Sequence, residues 1–284
     1  MENPTNPYHV HISSRHNWYD LHLREVWRYR ELIWLMTKRS FTVSFKQTIL
    51  GPAWLFINPL ISSFMYTIVF GQIAKLGTDG VPQILFYLCG NAIWAYFSSC
   101  LTSNAGTFVG NAGLFGKVYF PRLTVPCANV LHLLIKFGIQ MLLVLGFLLY
   151  YTLTGAVHPN WWAWLLIPLV LLELGLMGMG CGIIVSSMTT KYRDLSVLVG
   201  FGMQLWMYGT PVVYPMSTLS NGVLRQLLLL NPVTMPVEVF RYAVLGVGTV
   251  LPQYVLISCA FTLAVTVLGI MIFNRVERTF MDTV

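Results

Sequence analysis

Long apolar stretches constrain this chain more than any other feature of its sequence. Six of them cover residues 50–74, 82–109, 125–151, 161–188, 195–214 and 251–273. A helix that crosses the hydrocarbon core of a bilayer needs about 20 mostly apolar residues. Lipid admits only helices and closed barrels, and these runs are too long and continuous for barrel strands. The sequence therefore predicts an all-α polytopic membrane protein with six transmembrane helices.

Charge is scarce, and its distribution predicts the orientation of the chain. Charged residues make up 10% of the 284 residues, against about 25% in a soluble domain. The cytoplasmic segments of an N-in, C-in topology would hold Arg15, Arg24, Arg28, Arg30, Lys38, Arg39, Lys46, Lys117, Arg122, Lys191, Arg193, Arg275 and Arg278. The opposite side keeps only Lys75, Arg225 and Arg241. Because basic residues mark the cytoplasmic side, the net charge of +7 indicates topology and not nucleic-acid binding.

Three regions follow from this pattern. Residues 1–49 would form a cytoplasmic N-terminal region, residues 50–273 a transmembrane domain, and residues 274–284 a cytoplasmic tail. Residues 18–36 combine tryptophans with arginines, which is typical of an amphipathic helix in the headgroup layer. The alternative is a cytoplasmic helix packed on a partner.

The segment 219–245, between the fifth and sixth spans, consists of two apolar pieces that Asn231-Pro232 separates. Each piece has about a dozen residues, too few to cross a bilayer. The pattern predicts a re-entrant helical hairpin on the outer side.

Residues 111–126 contain a near match to the phosphate-binding P-loop, G-x-x-x-x-G-K-[ST]. Gly116 and Lys117 fit, but Asn111 replaces the first glycine and Val118 replaces the Ser/Thr. We therefore expect no ATP or Mg²⁺ at this loop, and a cationic, partly apolar loop suits contact with another protein. Neither a metal-ligand spacing nor a catalytic set is evident, so no metal, cofactor or catalytic residue is predicted for this chain.

Several segments together resemble a known family. They are KQTILGPAWLFINPL at 46–60, KVYFPR at 117–122, YRDL at 192–195, LNPVTMPVEVFRYAVLG at 230–246 and VERTFMDTV at 276–284. In this order they resemble the permease subunit of type-2 ABC exporters for polysaccharide, which carry O-antigen, capsule or teichoic acid. The VYFPR loop and the FMDTV tail look most like the O-antigen branch.

The resemblance implies a function and partners. It implies a homodimer in the cytoplasmic (inner) membrane of a bacterium, with two copies of a separate ABC ATPase that binds ATP and Mg²⁺. The cargo would be a polysaccharide linked to undecaprenyl diphosphate, and the chain itself would be no enzyme.

The loop at 110–124 would then couple to the ATPase. Its apolar side chains are too many for a solvated loop, so they should bury against a partner or against the chain's own interfacial helix. The candidates are Leu114, Phe115, Lys117, Tyr119 and Arg122, with Arg193 in the 192–194 turn as a second contact.

Polar and aromatic stripes would line a sugar path, because residues three or four apart share a helix face. The candidates are Trp54, Asn58, Ser62 and Tyr66 on the first span, Trp94 and Ser98 beside Asn91 on the second, and Phe201, Gln204 and Tyr208 on the fifth. Packing between helices is the alternative, since small and polar residues also hold membrane helices together.

Charged residues inside apolar segments should be paired, because an isolated charge in the bilayer is costly. Lys136 and Glu173 lie near the middle of their spans, so we expect a structural ion pair, with a proton relay as the alternative. Glu238 and Arg241 stand i,i+3 on the outer hairpin and are expected to pair there.

Other functions are open at this stage. A capsule or teichoic acid exporter fits the same motifs, and a type-2 ABC permease for a drug or small lipid would need a narrower, less aromatic path. A membrane-embedded glycosyltransferase would need clustered acidic residues, and a proton-driven flippase would work without an ATPase.

Overall fold

The computed structural model describes residues 23–118, 120–190, 192, 194–219 and 222–283, and every regular element in these ranges is helical. In chain order the α-helices are α1 (Leu23–Arg28), α2 (Arg30–Phe45), α3 (Trp54–Tyr66), α4 (Gln83–Ala105), α5 (Thr107–Phe115), α6 (Thr124–Leu153), α7 (Ile167–Thr189), α8 (Leu195–Tyr208), α9 (Val223–Leu230), α10 (Thr234–Leu245) and α11 (Pro252–Thr283). Short 3₁₀ turns precede α3 (Gly51–Ala53) and α7 (Trp161–Leu166), and a π-helical segment (Thr67–Ile73) prolongs α3. The predicted all-α fold is confirmed.

Five helical stretches in the described ranges are long and apolar enough to cross a membrane. They are Gly51–Ile73, Gln83–Ala105, Thr124–Leu153, Trp161–Thr189 and Pro252–Glu277. They coincide with the predicted first, second, third, fourth and sixth spans. The second is shorter than predicted, because α4 ends at Ala105 and a separate helix, α5, begins at Thr107.

The predicted fifth span, 195–214, is helical only over its first 14 residues, which form α8. Gly209 ends the helix, and Pro211 follows two residues later. A proline prevents the helix from continuing, because it lacks an N–H and its ring clashes with the preceding turn. The outer third of the predicted span is therefore wrong.

The hairpin bends at the position that the sequence predicts. Helices α9 and α10 meet at 87° around Asn231-Pro232. The Asn231 side chain accepts from Trp206 Nε1 at 3.0 Å and donates to the Gly209 carbonyl at 2.6 Å and to Thr210 Oγ1 at 2.9 Å. One amide therefore joins the bend of the hairpin to the end of α8.

Helix α7 lies at the centre of the fold, between α4 and α11, and glycines bring the backbones close together. A Cβ added at Gly182 would lie 2.6 Å from the Leu101 carbonyl oxygen of α4. A Cβ added at Gly180, on the opposite side, would lie 2.9 Å from the Thr266 backbone of α11. Small residues at these positions permit the close packing that stabilises membrane helices.

Loops from distant parts of the sequence gather at each end of this bundle. At one end the Ser217 hydroxyl donates to the Asp79 carboxylate, and the Asn160 N–H donates to the Ala243 carbonyl at 3.2 Å. At the other end Phe108 of α5 stacks on Phe273 of α11, with ring centroids 4.4 Å apart.

Helix α2 lies along the first turns of α6. Thr37 Oγ1 donates to the Ala128 carbonyl at 3.3 Å, and Ser44 Oγ lies 3.4 Å from His132 Nε2. The contacts advance together along both helices, so α2 and α6 run in the same direction. Within the described part of the predicted interfacial helix, Val26 is buried in the chain, whereas Trp27 and Trp34 are exposed.

Candidate functional site

The coupling loop buries its large aromatic side chains inside the chain. Phe115 and Phe120 are 4% and 5% exposed, and their ring centroids lie 5.8 Å apart. The same cluster contains Val26 of α1 and Phe273 of α11. This corrects the prediction that Phe115 faces an ATPase, because its partners are residues of its own chain.

Arg122 also has an internal role. Its Nη1 donates to the Glu277 carbonyl oxygen at 2.6 Å, its Nε lies 3.5 Å from Glu277 Oε1, and its guanidinium lies 5.4 Å from the centre of the Phe115 ring. These contacts fasten the loop to the C-terminal part of α11. The prediction of Arg122 as a docking residue is therefore corrected to a structural role.

One face of this segment is still open to solvent. Val109, Gly113, Lys117 and Val118 are all exposed, and we call these four residues the coupling face. The first three follow at intervals of four, so they share one side of α5 and its continuation. Leu114 is half-buried. The predicted contacts Tyr119 and Arg193 lie outside the described residues.

A cavity of about 320 Å³ lies between α3, α4 and α6. Helix α3 lines it with residues four apart, and these are the predicted Trp54, Asn58 and Ser62. Lys136 of α6 also lines this cavity. The structure therefore brings part of the predicted sugar path together with the predicted intramembrane cation.

The face of α4 that lines this cavity differs from the predicted stripe. Asn91, Ala95 and Ser99 line it, whereas Ser98 does not. Trp94 is buried, with its ring centroid 5.5 Å from that of Phe97. The prediction of Trp94 and Ser98 in one path with Asn91 is wrong, because the side of α4 that carries Trp94 packs into the core.

The remaining predicted path residues lie on α8 or contact it. Tyr66 donates to Met207 Sδ at 3.8 Å, which joins α3 to α8. Phe201, Gln204 and Tyr208 form an exposed face of α8 and do not line the α3–α4–α6 cavity.

The predicted pair of Lys136 and Glu173 is not formed. The Lys136 ammonium lies 5.6 Å from the centre of the Phe45 ring, at the end of α2. Glu173, on α7, instead contacts Ser258 of α11. The two side chains therefore lie on faces of α6 and α7 that point to different neighbours.

Glu173 takes part in a three-way contact that sequence analysis did not predict. Ser258 Oγ is within hydrogen-bond reach of Glu173 Oε1 and lies 2.6 Å from the Pro232 carbonyl oxygen. Ser258 therefore links α7 and α11 to the bend of the hairpin.

We expect Glu173→Gln to leave the thermal stability of the purified protein nearly unchanged, because the amide oxygen can accept from Ser258 as the carboxylate oxygen does. Glu173→Leu should cost about 1–3 kcal/mol, since it removes this hydrogen bond from a buried hydroxyl. Thermal unfolding in detergent compares the two variants. Equal losses in Glu173→Gln and Glu173→Leu would contradict a contribution of this hydrogen bond to stability.

The predicted ion pair on the hairpin is confirmed and belongs to a larger network. Arg241 Nη1 lies 3.2 Å from Glu238 Oε1, and both side chains are almost fully buried. The same guanidinium donates to the carbonyl oxygens of Pro211 and Val212 and lies 4.0 Å from the centre of the Phe86 ring.

Glu238 completes this network on its other side. Its Oε2 accepts from the Thr249 N–H at 2.8 Å. The network therefore ties the hairpin both to the loop that follows α8 and to the loop that precedes α11.

Comparison with known proteins decides the family. The profile described as ABC-2 type transporter matches residues 31–245, which is most of the chain. The chain belongs to the ABC-2 type transporter family. As an ABC-2 permease it is a transport component of the bacterial inner membrane, which it crosses several times, and ATP hydrolysis resides on a separate subunit.

Curated relatives of this ABC-2 permease carry one name, O-antigen export system permease protein RfbA. Two from Klebsiella pneumoniae are 27% and 25% identical over 252 residues, which is 89% of this chain and 94% of each relative. One from Myxococcus xanthus is 28% identical over 213 residues, which is 74% of this chain and 78% of the relative.

Ser258, Asn231 and Gln140 were missed as site residues in the sequence. Ser258 is a single hydroxyl inside an apolar run, and Asn231 looks like an ordinary residue before a proline. Gln140 stands four residues after Lys136 on the same face of α6, and this spacing could have indicated that both line one cavity.

Proposed function

We propose that this chain is the transmembrane permease subunit of an ATP-driven exporter that moves lipid-linked polysaccharide of the O-antigen type across the cytoplasmic membrane. The observation that carries the proposal is the similarity to two relatives over 94% of their length, both named O-antigen export permeases. The residues of the polysaccharide path and those of the coupling face lie far apart in the chain. Two proteins that share the same transport function should therefore be similar over nearly their whole length.

The topology that fits this function has both termini in the cytoplasm. Phe108 and Phe273 lie at the end of the bundle that carries the basic 117–122 loop, which supports a cytoplasmic position for that end. Helix α8 then makes the fifth crossing, and α9 with α10 enters and leaves on the outer side. The bend of 87° supports a re-entrant hairpin.

A homodimer would form the polysaccharide path. Helices α3 and α8 carry large apolar side chains that are more than half exposed, among them Phe64 at 57% and Phe201 at 61%. A second copy of the chain would cover part of this surface, and Gln204, Tyr208 and Trp54 would supply polar and aromatic contacts for sugars. Undecaprenyl diphosphate is the lipid we expect on the cargo.

Deletion of the gene for this chain tests the function. In the deleted strain, polysaccharide linked to undecaprenyl diphosphate should accumulate inside the cell while the surface polysaccharide disappears, and the intact gene should restore both. Unchanged surface polysaccharide would refute the proposal. A capsule or teichoic acid exporter would alter a different glycan in the same assay, and a drug permease would alter none.

We expect Val118→Asp to abolish most export while the protein stays folded in the membrane, because Val118 is an exposed apolar residue of the coupling face. A carboxylate there would be buried without a partner when the ATPase docks. Co-purification with the ATPase and surface glycan are the measurements. Val43→Asp, the same change at an exposed apolar residue of α2 outside the coupling face, is the control. Normal co-purification and export of Val118→Asp would show that the ATPase binds elsewhere.

A further inference from the structure

Helix α5, which carries most of the coupling face, has no N-cap side chain of its own. The first four N–H groups of an α-helix have no partner within the helix, and a Ser, Thr, Asp or Asn at the N-cap position usually accepts from one of them. In α5 this position is occupied by Gly106, which has no side chain. The hydroxyl of the next residue, Thr107, is buried and makes no hydrogen bond within the described part of the chain. Neither residue therefore caps α5.

Helix α7 supplies the missing cap. Ser186 Oγ accepts from the Phe108 N–H at 3.0 Å, although 78 residues separate the two in the sequence. Ser186 is fully buried. Phe108 is the second residue of α5, and its N–H is one of those that an N-cap side chain ordinarily receives. A hydroxyl from a distant helix thus takes the place of the N-cap side chain.

The position of Ser186 follows from the close packing of α7 on α4. Gly182 brings the α7 backbone against Leu101 and Ala105, near the end of α4. Ser186 stands four residues later on the same face of α7, which places it beside the first turn of α5. Thr189 extends this contact, and its Oγ1 lies 3.4 Å from the Ala105 carbonyl oxygen. The end of α7 therefore contacts both sides of the junction between α4 and α5.

This contact determines how α5 is rotated about its own axis. Phe108 is held by its main chain to α7 and by its ring to Phe273 of α11. Val109, the next residue, begins the exposed coupling face. Successive residues of a helix point about 100° apart, so the direction of the coupling face depends on how Phe108 is held.

We propose that Ser186 is a positioning residue for the ATPase contact. Its hydroxyl caps α5 and thereby keeps the coupling face turned toward the separate subunit. The inference rests on the proposed role of the coupling face, and it adds a buried residue of α7 that lies outside the docking surface itself.

Hydrogen exchange of the purified full-length chain tests the cap directly. Ser186→Ala removes the acceptor, and the Phe108 amide hydrogen should then exchange about fivefold faster, the usual effect of losing an N-cap side chain. Ser186→Cys should have a similar effect without leaving an empty space, because sulfur is only a weak acceptor. Fragmentation of the peptide that covers α5 by electron transfer assigns the exchange to single residues.

Ser187→Ala is the matched control. Ser187 is also buried, but its hydroxyl donates to the Ile183 carbonyl at 2.8 Å within α7 itself. The same chemical change one residue away should therefore leave hydrogen exchange in α5 unaltered.

Binding of the ATPase subunit to the chain in nanodiscs shows whether the cap positions the coupling face. Without the cap, a smaller fraction of molecules holds the face in the binding orientation, and the apparent dissociation constant rises by the inverse of that fraction. We expect a rise of about fivefold for Ser186→Ala, as for the exchange rate, and none for Ser187→Ala. A residue with only a structural role would lower the unfolding temperature and leave the affinity of the folded protein unchanged.

Two results would overturn the inference. One is unaltered exchange at Phe108 in both Ser186 variants, or equal acceleration in Ser187→Ala. The other is unchanged affinity for the ATPase despite faster exchange. Loss of ATPase binding in Val118→Asp but not in Ser186→Ala would reject the positioning role and retain the coupling face. Both assays use purified proteins without polysaccharide, so neither depends on whether the cell exports O-antigen.

Discussion

Replacing Arg241 by alanine is expected to lower the free energy of unfolding by about 3–5 kcal/mol, which is the cost of leaving a buried charge without its partner. Glu238 would stay buried at 2% side-chain exposure with its Oε1 unpaired. The carbonyl oxygens of Pro211 and Val212 would lose their donors as well. The measurement is the amount of monodisperse protein recovered from membranes, together with its thermal unfolding temperature.

A double variant separates charge from packing. Arg241→Met combined with Glu238→Gln removes both charges and should recover part of the lost stability, because the remaining side chains are neutral. Lys75→Asn is the control, since it removes an exposed cation and asparagine tolerates the positive φ of that position. A double variant less stable than Arg241→Ala would contradict the importance of the buried pair.

Gly182→Leu is expected to destabilise the fold by about 3 kcal/mol, the upper part of the usual range for an overpacked interior. A Cβ at this position would lie 2.6 Å from both the Leu101 carbonyl oxygen and Asn104 Cβ. Neither is the end of a flexible side chain, so α7 and α4 would have to separate. Thermal unfolding and the yield of folded protein measure the effect.

The matched control for this change is Gly138→Leu on α6. A Cβ added there meets nothing within 4 Å, and leucine favours the helix more than glycine does. We expect unchanged or slightly higher stability. If Gly182→Leu and Gly138→Leu behaved alike, the close contact of α4 and α7 would have no role in stability.

The positions of most membrane-length helices were predictable from the sequence because hydropathy reports long apolar runs directly. Five of the long apolar runs became membrane-length helices, and the break at Asn231-Pro232 appeared where the proline required it. The prediction of the fifth span failed for a local reason, because hydropathy does not register that Gly209 and Pro211 end a helix.

The directions in which side chains point were less predictable. A helix in an apolar run has little amphipathic signal, so the face of α4 that lines the cavity could not be separated from the face with Trp94. For the same reason Lys136 and Glu173 looked like partners, although α6 and α7 direct them to different neighbours.

The loop at 110–124 shows a different limit of prediction from sequence. Its aromatic residues correctly signalled burial, but the sequence does not say against which chain. The answer depends on α1 and α11, which lie more than 80 residues away and supply Val26 and Phe273 to the cluster. Among the described residues, the exposed coupling face is left as the candidate for contact with a second protein.

The hydrogen bonds of Asn231 have a mechanical consequence. They fix the C-terminal end of α8 to the hairpin, and Ser258 fixes the hairpin to α11. The interior of α8 carries Gly200 and Gly202, around which the described chain leaves open space. Helix α8 is therefore anchored at its C-terminal end, whereas its interior has unoccupied space beside Gly200 and Gly202 in the described chain.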